Sequence, residues 1–110
     1  MTTAEKRKGD RAEREAASVL SDLLGIEVRR LLGAGRADDI GDLALPAVAI
    51  QVADWSNWPA AMRTKPLDAA TQAERSGLLC GAAMVRLRTG RWLVVMEARE
   101  FATLYREATA

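Results

Sequence analysis

The chain contains no histidine and a single cysteine, Cys80. Without histidine, one chain cannot build a Ser-His-Asp or Cys-His nucleophilic site, an HNH-type nuclease site or a His-ligated zinc site. Any catalysis must therefore use carboxylates, lysine, arginine, hydroxyls or amides. A lone cysteine cannot form an intrachain disulfide, and we expect Cys80 to fill space in the core.

Long apolar runs are also missing. No stretch approaches the roughly 18 apolar residues that a membrane span requires, and residues 1–10 are charged rather than apolar. We therefore expect no secretory signal and no membrane partner, and a cytoplasmic location in a bacterium or a phage-infected host cell. The 110 residues, 49% hydrophobic and 28% charged, predict one globular domain over 1–110. The net charge of +1 neither demands nor excludes a polyanionic partner.

Hydrophobic periodicity indicates the order of the elements. Apolar residues at spacings of three and four between Ala12 and Leu24 predict an amphipathic first helix that ends at Gly25. Pro46 separates two apolar runs, which suits a hairpin. We predict strands over 26–32, 40–45, 47–53, 78–86 and 91–96, and further helices over 67–75 and 99–107.

The resulting order, αβββαββα, predicts an α/β fold with three α/β/α layers and a mixed central sheet. The stretch from Trp55 to Pro66 is irregular, and we interpret it as a short helical turn or a loop. Pro66 then opens the next helix at its first turn.

Two polar residues interrupt strands that should otherwise be apolar. Asp42 lies in the first strand of the predicted hairpin and Gln51 in the second. Side chains alternate between the faces of a strand, so Gln51 and Ala53 share one face, and we expect Asp42 to approach Gln51 across the hairpin. Glu13 lies beside the apolar face of the first helix, so we expect it to lean over the same sheet.

The segments KGDRAEREAASVLSDLLGIEVRR, GRADDIGDLAL and VAIQVADW resemble the PD-(D/E)XK nuclease superfamily, most closely its Holliday-junction-resolvase-like branch. The resemblance implies a restriction-endonuclease-like fold. It also implies a helix glutamate, a hairpin aspartate, a strand with (Glu/Gln)-x-Lys and a glutamine on the following helix. These positions correspond to Glu13, Asp42, Gln51 and Gln72, while the family's lysine position holds Ala53.

The same resemblance implies a structure-selective endonuclease of DNA recombination and repair, acting on branched or double-stranded DNA. It implies Mg²⁺ as cofactor, which Mn²⁺ can replace, held by Asp42, Gln51, the carbonyl of Val52 and Glu13. Carboxylates suit this chemistry because Mg²⁺ prefers one or two of them plus waters. A four-way junction needs two active sites, so the resemblance implies a homodimer, with the hairpin over 78–96 or the last helix at the interface.

Other side chains near the predicted site are of types that bind nucleic acid. Arginine and lysine contact phosphates, and tryptophan stacks on bases, although solvated surface charges and loop-packing tryptophans give the same pattern. Gln72 is a further candidate for contact with the phosphate or the attacking water. The predicted DNA-binding residues are Arg29, Arg30, Arg36, Trp55, Arg63, Lys65 and Gln72.

Ala53 leaves three explanations open. It is an introduced Lys-to-Ala change that traps an inactive protein, or the lysine has moved and Arg63 or Lys65 reaches in from the following segment, or the fold is kept only to bind DNA. The predicted function is accordingly an endonuclease impaired at Ala53. The alternatives are a non-catalytic DNA-binding module and a nuclease acting on flaps or DNA ends.

Overall fold

A computed structural model of the chain describes residues 3–31 and 42–110. Over these residues, helices and strands follow one another in the predicted order αβββαββα. The helices are α1 (Thr3–Leu24), α2 (Trp58–Ser76) and α3 (Ala98–Ala108), and the strands are β1 (Arg29–Arg30), β2 (Leu43–Leu45), β3 (Val48–Ala53), β4 (Cys80–Arg86) and β5 (Trp92–Val95). The predicted α/β class is confirmed.

The strands form one mixed sheet in the order β1-β2-β3-β4-β5. Strands β3 and β4 are parallel, and the other neighbouring pairs are antiparallel. A parallel pair requires a crossover connection, which α2 supplies. Pro46 and Ala47 form the two-residue turn between β2 and β3, so the predicted hairpin is confirmed.

Helices cover both faces of the sheet. Alternate residues of β3 point to opposite faces, so Ile50 packs in a cluster with Ala16 of α1 and Ala53 packs in a second cluster with Ala61 of α2. We call these the α1 face and the α2 face of the sheet.

Helix α2 lies very close to β4. A Cβ atom added at Gly81 of β4 would overlap the backbone carbonyl of Ala69 of α2. Ala69 and Ala73 are buried in this contact. Glycine and alanine thus let the helix backbone approach the strand, which fixes the position of the other side chains of α2.

The structure corrects the predicted start of α2, which is Trp58 rather than Leu67. The Asn57 side chain caps the helix by accepting a hydrogen bond from the Ala60 N–H at 3.1 Å. Pro66 therefore lies inside the helix instead of opening it. A proline there removes one helical hydrogen bond, but Pro66 is buried against the sheet side of the helix, and this packing outweighs the local loss.

Other boundaries differ in a simpler way. β1 has two residues where seven were predicted, and β5 ends one residue earlier than predicted. α3 has no buried residue, and Phe101 is 56% exposed. Cys80 is fully buried, as predicted. Within the described part of the chain, every helix is too short or too polar to cross a bilayer.

Candidate active-site cleft

The hairpin places Asp42 opposite Gln51. Leu43 pairs with Ile50 in the β2–β3 ladder, so one further step of the register sets Asp42 across from Gln51. The Asp42 N–H donates to the Ile50 carbonyl at 2.7 Å. Its side-chain Oδ2 accepts a hydrogen bond from the Val52 N–H at 2.7 Å, which fixes the carboxylate against β3.

Gln51 is buried, and both ends of its amide have partners. Its Nε2 donates a hydrogen bond to Oε1 of Gln72, which is also buried. Its Oε1 accepts a hydrogen bond from the ammonium Nζ of Lys65 at 3.5 Å. Lys65 and Gln72 are two helical turns apart and share one face of α2, so a chain of hydrogen bonds joins this face to the strand.

These side chains line one cavity of about 460 Å³ between the sheet and α2, which we call the α2 cleft. Its lining residues are Asp42, Gln51, Lys65, Asp68, Thr71, Gln72 and Arg75. Two carboxylates and two cations give the cleft a balanced formal charge. A cleft of this composition is suited to a ligand that carries both a metal cation and an anionic group.

Asp68 and Thr71 are cleft residues that the sequence analysis missed. Asp68 lies three residues after Lys65 and four before Gln72, and Thr71 lies three residues after Asp68; this spacing is the signal that places them on one side of the helix. That signal depends on a helix that already includes Lys65. The predicted helix began at Leu67, so the shared face was not recognised.

Glu13 lies on α1, and it lines a different cavity. This cavity of about 420 Å³ is bordered by Lys8, Glu13, Val52 and Ala53 at the end of β3. Oε1 of Glu13 is 3.7 Å from Nε of Arg30. Glu13 thus leans over the sheet as predicted, but from the α1 side, and the structure does not bring it into the α2 cleft with Asp42.

Ala53 is 2% exposed and packs with Ala61 and Val85 on the α2 face. The position that holds lysine in the PD-(D/E)XK family therefore lies among apolar side chains, at the border of the cavity that Glu13 lines. An ammonium group nevertheless reaches Gln51, because Lys65 projects from α2.

The two predicted DNA-binding arginines of β1 differ in exposure. Arg29 is largely exposed and forms an ion pair with Glu27 at 2.9 Å. The Arg30 side chain is only 20% exposed and faces Asp10 at 3.5 Å as well as Glu13. Arg30 is thus poorly placed for a phosphate, whereas Arg29 is accessible. Arg36 lies outside the described residues.

The remaining DNA-binding candidates lie around the C-terminal end of β3. Trp55 is 39% exposed, and its ring centroid is 5.7 Å from Nζ of Lys65. Arg63 is exposed on α2, while Gln72 is buried against Gln51 and has a structural contact as well as a place in the cleft. Trp58 is partly buried and packs on the cluster around Ala53.

The described residues contain no group of three or more histidine, cysteine, aspartate or glutamate side chains that could hold a metal ion. Mg²⁺ needs fewer protein ligands than such a group supplies, because it commonly binds through one or two carboxylates and takes waters and substrate phosphates as its other ligands. Asp42 and Asp68 supply two carboxylates to the α2 cleft, and Gln51 supplies an amide oxygen. This donor set fits Mg²⁺ held jointly with a substrate.

Comparisons with family models, with curated proteins and with solved structures found no significant match to this chain. A functional inference must therefore start from the chemistry of the α2 cleft. Its acids, amides and ammonium group include three of the positions for which the sequence motifs resemble a nuclease, Asp42, Gln51 and Gln72.

Proposed function

We propose that the protein is a Mg²⁺-dependent, structure-selective DNA endonuclease with a restriction-endonuclease-like fold, similar to Holliday junction resolvases, and that the α2 cleft is its active site. The observation that carries this proposal is the position of Asp42 beside Gln51 in one polar cleft. The two residues come from the two motifs that resemble the family, and they meet across the hairpin.

Hydrolysis of a phosphodiester forms a bond between a water oxygen and phosphorus and breaks the bond from phosphorus to one sugar oxygen. The water loses a proton, and the leaving oxygen gains one. A bound Mg²⁺ neutralises charge on the phosphoryl oxygens and lowers the pKa of its water. Asp42 would hold the ion, Asp68 would add a second carboxylate, and the Gln51 oxygen, turned toward the cleft by Gln72, would complete the set.

The test compares two substitutions of Asp42. Asp42→Asn keeps an oxygen that accepts from the Val52 N–H but removes the charge, whereas Asp42→Ala removes both. If the carboxylate holds a metal, both variants should lose Mg²⁺-dependent cleavage of a four-way DNA junction by about 100-fold or more. Wild-type cleavage rates in the Asp42→Asn variant would reduce Asp42 to a structural role. A wild-type protein that cleaves no DNA with Mg²⁺ or Mn²⁺ would overturn the proposal.

Cleavage at two symmetric positions of a junction needs two active sites, so we also propose a homodimer. β5 is an edge strand and α3 has no buried residue, and both expose large apolar side chains, such as Val94, Phe101 and Tyr105. Exposed apolar side chains of this kind make β5 and α3 candidates for the interface between the two copies. Phe101→Glu should shift the sedimentation of the protein from dimer to monomer, and an unchanged dimer would exclude α3.

A second candidate function is a DNA-binding module without catalysis. The absence of a lysine from β3 and of a three-acid cluster among the described residues favours it. Such a protein would bind a four-way junction tightly and leave it intact with either metal. Flap and blunt-end substrates in the same assay would reveal a nuclease of different substrate preference.

A further inference from the structure

Lys65 is the cation of the α2 cleft that bonds directly to the strand. Its ammonium donates to Oε1 of Gln51 at 3.5 Å. Asp42, the residue just before β2, lines the same cleft. Arg63, two residues earlier on α2, is exposed and lies on another side of the helix, because residues two apart do not share a face.

Two contacts restrict the Lys65 side chain, and a third fixes the helix that carries it. Gln51 binds its ammonium, and the ring of Trp55 lies 5.7 Å from Nζ, within the range of a cation–π interaction. The backbone of α2 is fixed one turn after Lys65, where Ala69 packs on Gly81. A lysine side chain loses much rotamer entropy when it is ordered. The contacts with Gln51 and Trp55 offset this cost and hold the ammonium at the cleft.

Gln72 fixes which end of the Gln51 amide faces Lys65. Because Oε1 of Gln72 accepts the hydrogen bond from Nε2 of Gln51, the Gln51 oxygen must point the other way, toward Lys65. The amide is thus fixed in one orientation by a partner on the same helix that carries the lysine.

From this geometry, and resting on the nuclease function proposed for the α2 cleft, we propose that Lys65 is the active-site lysine of this protein. Its ammonium contacts the scissile phosphate from helix α2, in place of a lysine on β3. Trp55 and Gln72 are positioning residues, since they act on the substrate only through Lys65 and Gln51. Ala53 is then a normal packing residue, and the cleft is complete.

The first test compares Lys65→Met with Arg14→Met, a matched loss of one exposed cation on α1, away from the cleft. The rate is measured in a single turnover at saturating protein with a four-way junction and Mg²⁺, and junction affinity is measured separately in EDTA. We expect Lys65→Met to lower the cleavage rate by about 100-fold or more, which is the effect of removing one charge-stabilising group. Arg14→Met should leave the single-turnover rate unchanged, since Arg14 does not line the α2 cleft.

Chemical rescue tests whether the ammonium itself is needed. Lys65→Cys introduces a thiol that 2-bromoethylamine alkylates, forming a carbon–sulfur bond with loss of bromide and restoring an amine at nearly the length of lysine. The natural Cys80 is fully buried, and burial together with the nearby Glu100 raises the pKa of its thiol, so the wild-type protein is a silent control. We expect the alkylated variant to cleave at least ten times faster than unmodified Lys65→Cys.

The outcomes separate the two proposals. A wild-type protein that cleaves, with Lys65→Met cleaving equally fast, overturns the assignment of Lys65 and leaves the nuclease function standing. Alkylated Lys65→Cys that is no faster than the unmodified variant also overturns it, and this comparison holds even if Lys65→Met folds poorly. Trp55→Ala should slow cleavage more than Trp55→Phe, which retains an aromatic ring beside Nζ; equal rates would remove Trp55 from the positioning role. No metal-dependent cleavage by the wild type would overturn the nuclease function itself.

Discussion

The two faces of strand β3 are covered in different ways. On the α1 face, Ile50 packs with large side chains such as Leu43 and Met84. On the α2 face, Ala53 packs with Ala61 and Ala83. The distance between packed elements depends on the residues at their contact. The buried residues of α1, Ala12, Ala16 and Ala17, are also small, so the α2 face is distinguished by Gly81, which lets the backbone of α2 approach β4 at Ala69.

This difference explains why the polar cleft forms on the α2 face. Glutamine and lysine side chains can bond across an interface only when the two backbones are near each other. The close contact of Ala69 with Gly81 sets that distance, and one turn away Lys65 and Gln72 reach Gln51. The alanine-rich contact is thus a structural requirement of the candidate site.

The largest expected effect comes from breaking the close contact. Gly81→Ala would place a Cβ inside the backbone carbonyl of Ala69, so α2 must move away from β4. Because the added Cβ meets backbone atoms, which cannot move aside as a side chain can, we expect the free energy of unfolding to fall by about 3 kcal/mol. Urea denaturation followed by circular dichroism measures it.

Gly9→Ala is the matched control for this substitution. Gly9 lies in α1, and an added Cβ meets nothing within 4 Å. There the same change should stabilise the protein by about 0.5–1 kcal/mol, because alanine favours the helix. Equal effects at the two glycines would show that α2 is not held at close range.

Ala53→Lys tests whether β3 has room for a lysine. The side chain would enter the cluster of Ala61 and Val85, and its ammonium would have to leave this cluster to reach the carboxylate of Glu13 in the neighbouring cavity. We expect it to be less stable than Ala53→Met, which has a similar stem without charge, by about 2 kcal/mol. Cleavage should not rise above the wild-type rate. A stable Ala53→Lys variant with faster cleavage would instead identify Ala53 as a missing catalytic lysine.

The bond between the two glutamines gives a smaller effect. Gln72→Leu leaves the buried Nε2 of Gln51 without its acceptor, at a cost of about 1–3 kcal/mol. Replacing both Gln51 and Gln72 by leucine removes donor and acceptor together, and stability should recover toward the wild-type value. Additive losses in the double variant, measured by the same denaturation, would mean that the amides do not depend on each other.

The element order could be predicted because hydrophobic spacing, glycine and proline mark most boundaries locally. Gly25 ends α1 with a positive φ of 69°, and Pro46 lies in the hairpin turn. The start of α2 could not be predicted from local residues in this way. Local rules make Pro66 a poor interior residue, yet burial of one helix side outweighs its lost hydrogen bond, and burial depends on the whole fold.

The candidate site was predictable to the extent that its residues break a pattern. Asp42 and Gln51 stand out because they are polar in strands that are otherwise apolar. Asp68 does not stand out in the same way, because its helix α2 contains polar and apolar residues throughout. Lys65 was predicted only as one of several alternatives. Glu13 was expected to join Asp42, but the face of the sheet that α1 covers depends on tertiary packing and not on the spacing of residues in α1.

The smallest expected effect lies on the α1 side, where one carboxylate joins three elements. Glu15 of α1 accepts hydrogen bonds from Nε1 of Trp92 at 3.0 Å and from Nε of Arg86 at 3.1 Å. Partial burial raises the pKa of Glu15, but the bonds from Trp92 and Arg86 and the charge of Arg86 outweigh it and hold this pKa below its usual value of 4.5.

A carboxylate with a lowered pKa in the folded state stabilises the protein when it is ionised. Its contribution is complete above the unfolded pKa and disappears as the pH falls through the lower, folded value. Because the Glu15 side chain is 39% exposed, solvent screening limits this contribution to less than about 1 kcal/mol. Glu15→Gln should therefore lower the urea midpoint at pH 7 slightly, and the difference from wild type should shrink in acid. A difference that stays constant down to pH 3 would assign the contact to packing of Trp92 and not to the charge of Glu15.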